Sequence, residues 1–185
     1  MDRDAWIYLK FLKGLDGPIL DAGCNFGNLV NNAPEKFVGI DLNEENLKKA
    51  RCKTVVADLE KKLPFPDGMF NAVTCTETLE HLDNTVEIVR ELKRVLRPGG
   101  TLLISVPCYK YHLAYHFGHK RFFHEGRDIG ILAKWTGLTV KELFEVRGIP
   151  RLVNLFGTSL GLLLAKLLPK LGFHGVVYAV LQKSG

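Results

Sequence analysis

This chain of 185 residues is short of several things that would narrow its role at once. It opens Met1-Asp2-Arg3-Asp4, acidic and with no apolar core behind it, so no secretory leader is read and a cytoplasmic protein is expected. Its four cysteines, Cys24, Cys52, Cys75 and Cys108, are scattered, never spaced C-x-x-C, and each lies in or beside an apolar run. They read as reduced small hydrophobes rather than a disulfide framework. There is no internal repeat and no low-complexity tract. The leucine-rich stretch 152–171 is interrupted by Lys166, Pro169 and Lys170 and is too short to cross a bilayer. Acidic residues are scarce in the second half: residues 101–185 hold 4 against 11 basic ones, whereas residues 1–100 hold 16 against 14. The overall charge of +5 therefore sits in the C-terminal part. That distribution is compatible with an anionic small molecule, a membrane surface or RNA, or with a plain solvated basic face.

What is present is an ordinary globular composition, 46% apolar and 24% charged, in a length suited to one domain with its own core. Residues 4–15 have near-helical apolar spacing and end at Gly14 and Gly17-Pro18. Apolar strand-like runs follow at 19–21, 37–41, 54–58, 70–76 and 101–106. Between them lie helical patterns at 28–33, 44–51 (with Asn43 as N-cap) and 84–96, the last stopped by Pro98-Gly99-Gly100. A helix at 128–136, strands at 138–146 and 176–181, and the leucine-rich helical pattern 152–171 complete the chain. Apolar strands alternating with helices predict an α/β fold. It is a Rossmann-like doubly wound sheet, mostly parallel with an antiparallel last strand, forming a single domain over 1–185.

The stretch Ile19-Leu20-Asp21-Ala22-Gly23-Cys24-Asn25-Phe26-Gly27 organises the rest. It reads as a buried strand ending in an acid and turning on glycines toward a helix. Ligands of α/β sheets bind beyond such strand ends. A dinucleotide fingerprint G-x-G-x-x-G would need glycines where Asn25 and Asn28 stand, which disfavours a nucleotide-dependent oxidoreductase. The pattern is D-x-G-x-x-x-G instead. The second run ends at Asp41, placed to accept both hydroxyls of a ribose, and the third at Asp58, placed to accept from an adenine amino group. Three successive strand-like runs each ending in Asp point to a common ligand, the alternative for any one of them being a helix or turn cap.

With Asp21-Ala22-Gly23-Cys24, Val38-Gly39-Ile40-Asp41, Ala57-Asp58-Leu59, the run L-P-F-P-D-G-M-F-N-A-V at 63–73, Leu79-Glu80-His81-Leu82 and L-K-R-V-L-R-P-G-G at 92–100, the chain resembles class I S-adenosylmethionine-dependent methyltransferases, in particular those labelled methyltransferase type 11. The likeness runs through 18–107 and more loosely through 119–147. It implies a cofactor-binding half at 18–107, and an acceptor-side lid with the last two strands at 108–185. It also implies that Asp21 and Gly23 lie near the methionine end, with Gly27 at the helix start. Asp41 would hold the ribose, Leu42 and Leu59 would flank the adenine, Asp58 would read its amino group, and Thr76 and Glu77 would lie by the sulfonium. Asn25 stands where the family usually has glycine. Asparagine tolerates the left-handed region, and its side chain there can bond to the cofactor's carboxylate or intrude on it.

Candidates on the acceptor side follow the fifth strand. His112, His116, His119 and His124 lie within 13 residues. His112 and His116 are one helical turn apart but have no accompanying Glu or Cys in a metal-binding pattern, so no metal is expected. His119-Lys120-Arg121-Phe122-Phe123 resembles a family segment over the acceptor. It names His119 as base or acceptor contact and Tyr109 and Arg121 as substrate contacts, the alternative being packing within an ordered lid. His81 reads as a capping or packing residue. The stretch 152–171 either covers the sheet or offers an apolar face to the acceptor or a membrane surface. The function implied is methyl transfer from S-adenosylmethionine, yielding S-adenosylhomocysteine, to a small, apolar or lipid-like acceptor. A non-catalytic cofactor-binding module and an RNA methyltransferase are the alternatives. The absent D/N-P-P-Y/F motif argues against DNA, and the absence of an appended RNA-binding domain makes RNA the weaker case.

Overall fold

A computed structural model of the chain describes residues 3–108, 119–121, 123, 126–147 and 175–185. Tyr109, His112, His116, His124 and the stretch 152–171 lie outside the described residues. Seven strands form one sheet in the order β3-β2-β1-β4-β5-β7-β6. They are β1 (Ile19–Ala22), β2 (Phe37–Asp41), β3 (Lys53–Val56), β4 (Phe70–Thr76), β5 (Leu96–Cys108), β6 (Leu138–Arg147) and β7 (Gly175–Lys183). β1 through β5 pair in parallel, and β7 runs antiparallel to both β5 and β6. The mostly parallel sheet with an antiparallel last strand is the expected architecture.

The central strands are continuous apolar runs because both faces of the sheet are covered. β1 is buried at every position, and β4 at all but two. On one face α3 (Thr85–Val95) packs Ile88, Val89, Leu92 and Val95 against Leu20, Val73 and Leu102, joined by Ile129 and Leu132 of α4 (Gly126–Thr136). On the other face α1 (Arg3–Ile7) and its continuation cover Ile19, Ala72, Leu103 and Tyr178. α1 passes into a π-turn, Tyr8–Leu12, closed by Lys13 N–H to the Tyr8 carbonyl at 2.8 Å. This widened turn sets Trp6 edge-on to Phe11 at 5.7 Å and to Tyr178 at 5.6 Å. Phe144 stacks on Tyr178 at 5.4 Å, and Lys10 lies 4.0 Å above the Phe144 ring. The start of the chain is thereby fastened to its last two strands.

Three local expectations are corrected. No α-helix forms at 28–33. Asn32 donates its side-chain amide to the Asn28 and Leu29 carbonyls at 3.0 and 2.9 Å, and only a 3-10 turn, Val30–Asn32, forms before Pro34. Short polar side chains compete with helix bonding in this way. α2 is a single turn, Glu44–Leu47, and Asn43 does cap it, accepting from Glu45 N–H at 3.0 Å. The third strand stops at Val56, so Asp58 stands two residues beyond it. No helix among the described residues is long and apolar enough to cross a membrane.

Candidate functional site

Because β1, β2, β3 and β4 are parallel, their carboxyl ends share one edge of the sheet. A cavity of about 130 Å³ opens there, lined by Arg3, Asp4, Asp21, Gly23, Cys24, Asn25, Asn28, Leu29, Thr76 and Glu77.

Its floor is the turn after β1. Gly23 has φ of +80°, and a Cβ there would stand 2.5 Å from Thr78 Oγ1, so the position demands glycine twice over. The N–H groups of Gly23 and Cys24 both donate to the Ile40 carbonyl at 2.9 Å, which pins the turn to β2. The turn can press this close because Gly39 is bare: a Cβ there would meet Cys24 Sγ at 2.7 Å. Asn25 takes the left-handed conformation, φ +48°, that a glycine would take in its place. Its N–H donates to Asp41 Oδ2 at 3.0 Å, and the other carboxylate oxygen of Asp41 accepts from Asn43 N–H at 2.9 Å.

Asp21 is 2% exposed. The Thr74 hydroxyl of neighbouring β4 donates to it at 2.6 Å. Burial outweighs that bond and pushes the Asp21 carboxyl up to about 7. The opposite wall is Glu77, at φ +50°, a strained conformation for a residue that is neither glycine nor asparagine. Glu77 is held there by Ser105: the backbone of Glu77 donates to the Ser105 carbonyl at 2.9 Å, and the Ser105 hydroxyl donates to Glu77 Oε1 at 3.1 Å. Arg3 lies 3.9 Å from Glu77 Oε2 and 3.2 Å from Asp4. Burial raises the Glu77 carboxyl against the pull of that arginine.

Of the residues named from the sequence, Asp21, Gly23, Asn25, Thr76 and Glu77 line this one cavity. Gly27 does not; it packs on Ala50 with φ +79°, ahead of a turn rather than a helix. Asp41 stands one hydrogen bond away, through Asn25. Leu42 is 70% exposed beside it, and Leu59 is buried in the core. Asp58 accepts from Glu60 N–H at 2.9 Å and pairs with Lys61 at 3.5 Å, both within its own turn. His119 meets the His81 ring edge-on at 4.7 Å, and burial together with His81 lowers its pKa. Arg121 gives its backbone N–H to the Glu80 carbonyl at 3.0 Å and its Nε to the Asp83 carbonyl at 3.1 Å, fastening its segment to the turn after β4.

Sequence reading missed Arg3, Asp4, Cys24, Asn28 and Leu29 as lining residues. Nothing in the pattern of α1 signals that its first residues reach the end of β4. It also missed Glu80, which is 1% exposed, has burial pushing its carboxyl up to about 8, and has no hydrogen-bond partner on Oε2 among the described residues.

This geometry is accompanied by a match to a known family. Residues 20–104 fit the model of the methyltransferase domain. The match takes in 85 of the 185 residues, and over that stretch the chain is similar to a methyltransferase domain. The stretch contains the cavity floor, Asp41, and the Thr76–Glu77 wall. The ubiquinone biosynthesis O-methyltransferase of Xanthomonas campestris is 36% identical over 103 residues, covering 47% of this chain and 41% of that protein. The chain thus spans about two fifths of that curated relative. A solved S-adenosylmethionine-dependent methyltransferase of Mesorhizobium loti superposes with a TM-score of 0.69 at 19% identity, covering 97% of this chain and 98% of that one. The [4+2]-cyclase SpnF superposes with a TM-score of 0.73 at 17% identity, covering 98% of this chain and 79% of that one. At such identities the likeness establishes the fold of the methyltransferase domain, and the cyclase illustrates that a fold does not fix a reaction.

Proposed function

We propose that this chain binds S-adenosylmethionine and transfers its methyl group to a small, apolar or lipid-like acceptor, releasing S-adenosylhomocysteine. The observation that carries the reading is the cavity at the ends of β1 and β4, because its charges suit the amino-acid end of that cofactor. The Arg3 guanidinium can meet a carboxylate, and Asp4, Asp21 and Glu77 can meet an ammonium. The left-handed turn at Gly23 and Asn25 brings bare backbone to the cavity. Asp41 keeps lone pairs beyond its two backbone bonds for a ribose. The exposed Leu42 beside it offers an apolar surface to an adenine, whose amino group Asp58 would meet from the turn beyond β3.

When bound, S-adenosylmethionine supplies a methyl already activated by its sulfonium. The chain's own contribution is to orient the acceptor, exclude water and hold the cofactor still. Orientation alone can supply up to roughly 7–11 kcal/mol in the ideal case. The apolar acceptor class is supported by the O-methyltransferase of ubiquinone biosynthesis among the relatives. It also rests on the leucine-rich composition of 152–171, which further suggests peripheral contact with a membrane surface. A second reading, a cofactor-binding module without turnover, is favoured by Asn25 standing where glycine is usual. One experiment separates them. Calorimetry with S-adenosylmethionine and S-adenosylhomocysteine is combined with a screen of phenolic, quinol-type and lipid acceptors, read by S-adenosylhomocysteine release. Binding with turnover supports the first reading, binding without any turnover the second, and absence of binding removes both.

A further inference from the structure

The 3-10 turn Leu79–His81, just past the end of β4, carries a group that the cofactor reading leaves unused. One ligating atom each of Glu80, His81 and His119 lies within 4.8 Å of the others. Two segments nearly forty residues apart in the chain are joined to make this group. The N–H groups of Lys120 and Arg121 both donate to the Glu80 carbonyl, at 2.7 and 3.0 Å. The backbone that presents His119 is therefore bonded to the residue that presents the carboxylate.

Glu80 supplies the second, independent observation. Its side chain is buried, and Oε2 has no donor among the described residues. An unsatisfied buried carboxylate oxygen is costly, and such groups are rare without a partner or an ion. The remaining two ligands grade outward, with His119 half-buried and His81 exposed, so one side of the group stays open. Two imidazoles and one carboxylate are a donor set for a divalent transition metal, with the open side left for water or substrate. Ligand atoms around a tetrahedral zinc stand about 3.3 Å apart for bonds near 2.05 Å. Closing the present group onto an ion thus takes a shift of about 1.5 Å at most, within reach of side-chain rotation at the exposed histidine.

We propose that Glu80, His81 and His119 form a site for a divalent transition-metal ion such as Zn²⁺, open on the side that faces away from the core. This gives His119 the role of a ligand in place of the base or acceptor contact read from the sequence, and His81 the same role in place of a cap. The site begins three residues after Glu77, which walls the cavity. Resting on the methyl-transfer reading, the ion's use there is to bind an acceptor oxygen. A hydroxyl so held gives its proton to solvent more readily, and its electron pair forms the O–CH3 bond while the S–CH3 pair stays on sulfur.

The test uses the full chain without an affinity tag, stripped by chelator and titrated with Co²⁺ and Zn²⁺ by visible absorption and calorimetry. The expected result is one equivalent bound, with His81→Ala and His119→Ala each weakening Kd at least tenfold. Glu80→Gln is expected to do the same. Because Glu80 is buried, the two histidine variants carry the test if that protein fails to fold. Undiminished binding in both histidine variants overturns the proposal, as does loss of binding only in a His112→Ala/His116→Ala double variant, or no stoichiometric binding at all. S-adenosylhomocysteine calorimetry on the stripped protein keeps the two readings apart. Cofactor binding without metal binding defeats this site alone, and metal binding without cofactor binding defeats the methyl-transfer reading alone.

Discussion

The backbone N–H of Asn25 donates to the Asp41 carboxylate at 3.0 Å, joining the turn after β1 to the end of β2. A charged side chain that could meet a ribose is thus also the strut that holds the cavity's floor. Asp41→Ala removes a charge-assisted bond, which should weaken S-adenosylhomocysteine binding by roughly 1.5–3 kcal/mol, about ten- to a hundredfold. Asp41→Asn keeps one oxygen and should lose less. Isothermal calorimetry on both variants checks this, and unchanged affinity in Asp41→Ala removes the residue from the site.

The turn itself can be probed at two neighbouring residues with opposite expectations. Gly23→Ala forces a side chain into φ +80° and against Thr78, so a loss of about 1–3 kcal/mol in stability is expected. Thr78→Ala in the same protein should restore part of it, since the side-chain tip nearest the new Cβ is gone. Asn25→Gly keeps the N–H bond to Asp41 and relieves the left-handed strain at the expense of a more flexible unfolded chain, so stability should move by less than about 1 kcal/mol. Chemical denaturation reads all three. A gain in cofactor affinity above tenfold in Asn25→Gly would show that the asparagine side chain obstructs the cavity.

Asp21 gives a signature in pH. Its carboxyl moves from 3.8 in the unfolded chain to about 7 in the fold. Between those values the folded protein holds a proton that the unfolded chain has released. The stability that Asp21 contributes therefore falls as pH rises from about 4 to about 7 and is level on either side. That displacement corresponds to about 4 kcal/mol as an upper figure. Glu77 and Glu80 are displaced in the same direction, so the decisive comparison is with Asp21→Asn. That variant should show a shallower decline of denaturation midpoint across this window, and an identical slope would show that Asp21 does not titrate there.

The sheet was legible because its central strands are short apolar runs bounded by Gly, Pro and Asp. β4 was expected at 70–76 and is found at those residues. α3 was legible from the spacing of Ile88, Val89, Leu92 and Val95. Where side chains rewrite the backbone, the pattern misleads: Asn32 takes the carbonyls that a helix at 28–33 would have used. The cavity was legible along β1 and at the tip of β4, where one strand end carries the chemistry. It was not legible at Arg3 and Asp4, which reach the cavity only because Trp6, Phe11 and Lys10 dock on Phe144 and Tyr178, more than a hundred residues away in the chain. Nor does any local signal mark Glu77 as left-handed, since tertiary bonds to Ser105 impose it.

Two of the motifs that looked diagnostic in the sequence meet at Arg94, and their role is structural. Its guanidinium donates from Nε and Nη2 to Glu91 at 2.9 and 2.6 Å, and from Nη1 to the Phe65 carbonyl at 2.8 Å and Asp67 at 2.7 Å. Nη2 also reaches the Leu63 carbonyl at 3.2 Å. The loop 63–68 is thus hung on α3 by one planar fork, which a lysine's point charge cannot reproduce. Arg94→Met should cost about 1–3 kcal/mol, the Coulomb part being trimmed by partial solvation. Arg94→Lys should recover less than half of that loss. Asp67→Ala, at the solvated end of the fork, should leave the thermal midpoint nearly unchanged. Since the fork lies away from the cavity, S-adenosylhomocysteine affinity in the folded Arg94→Met protein should match the wild type. A loss of affinity without a loss of stability would place Arg94 in the site after all.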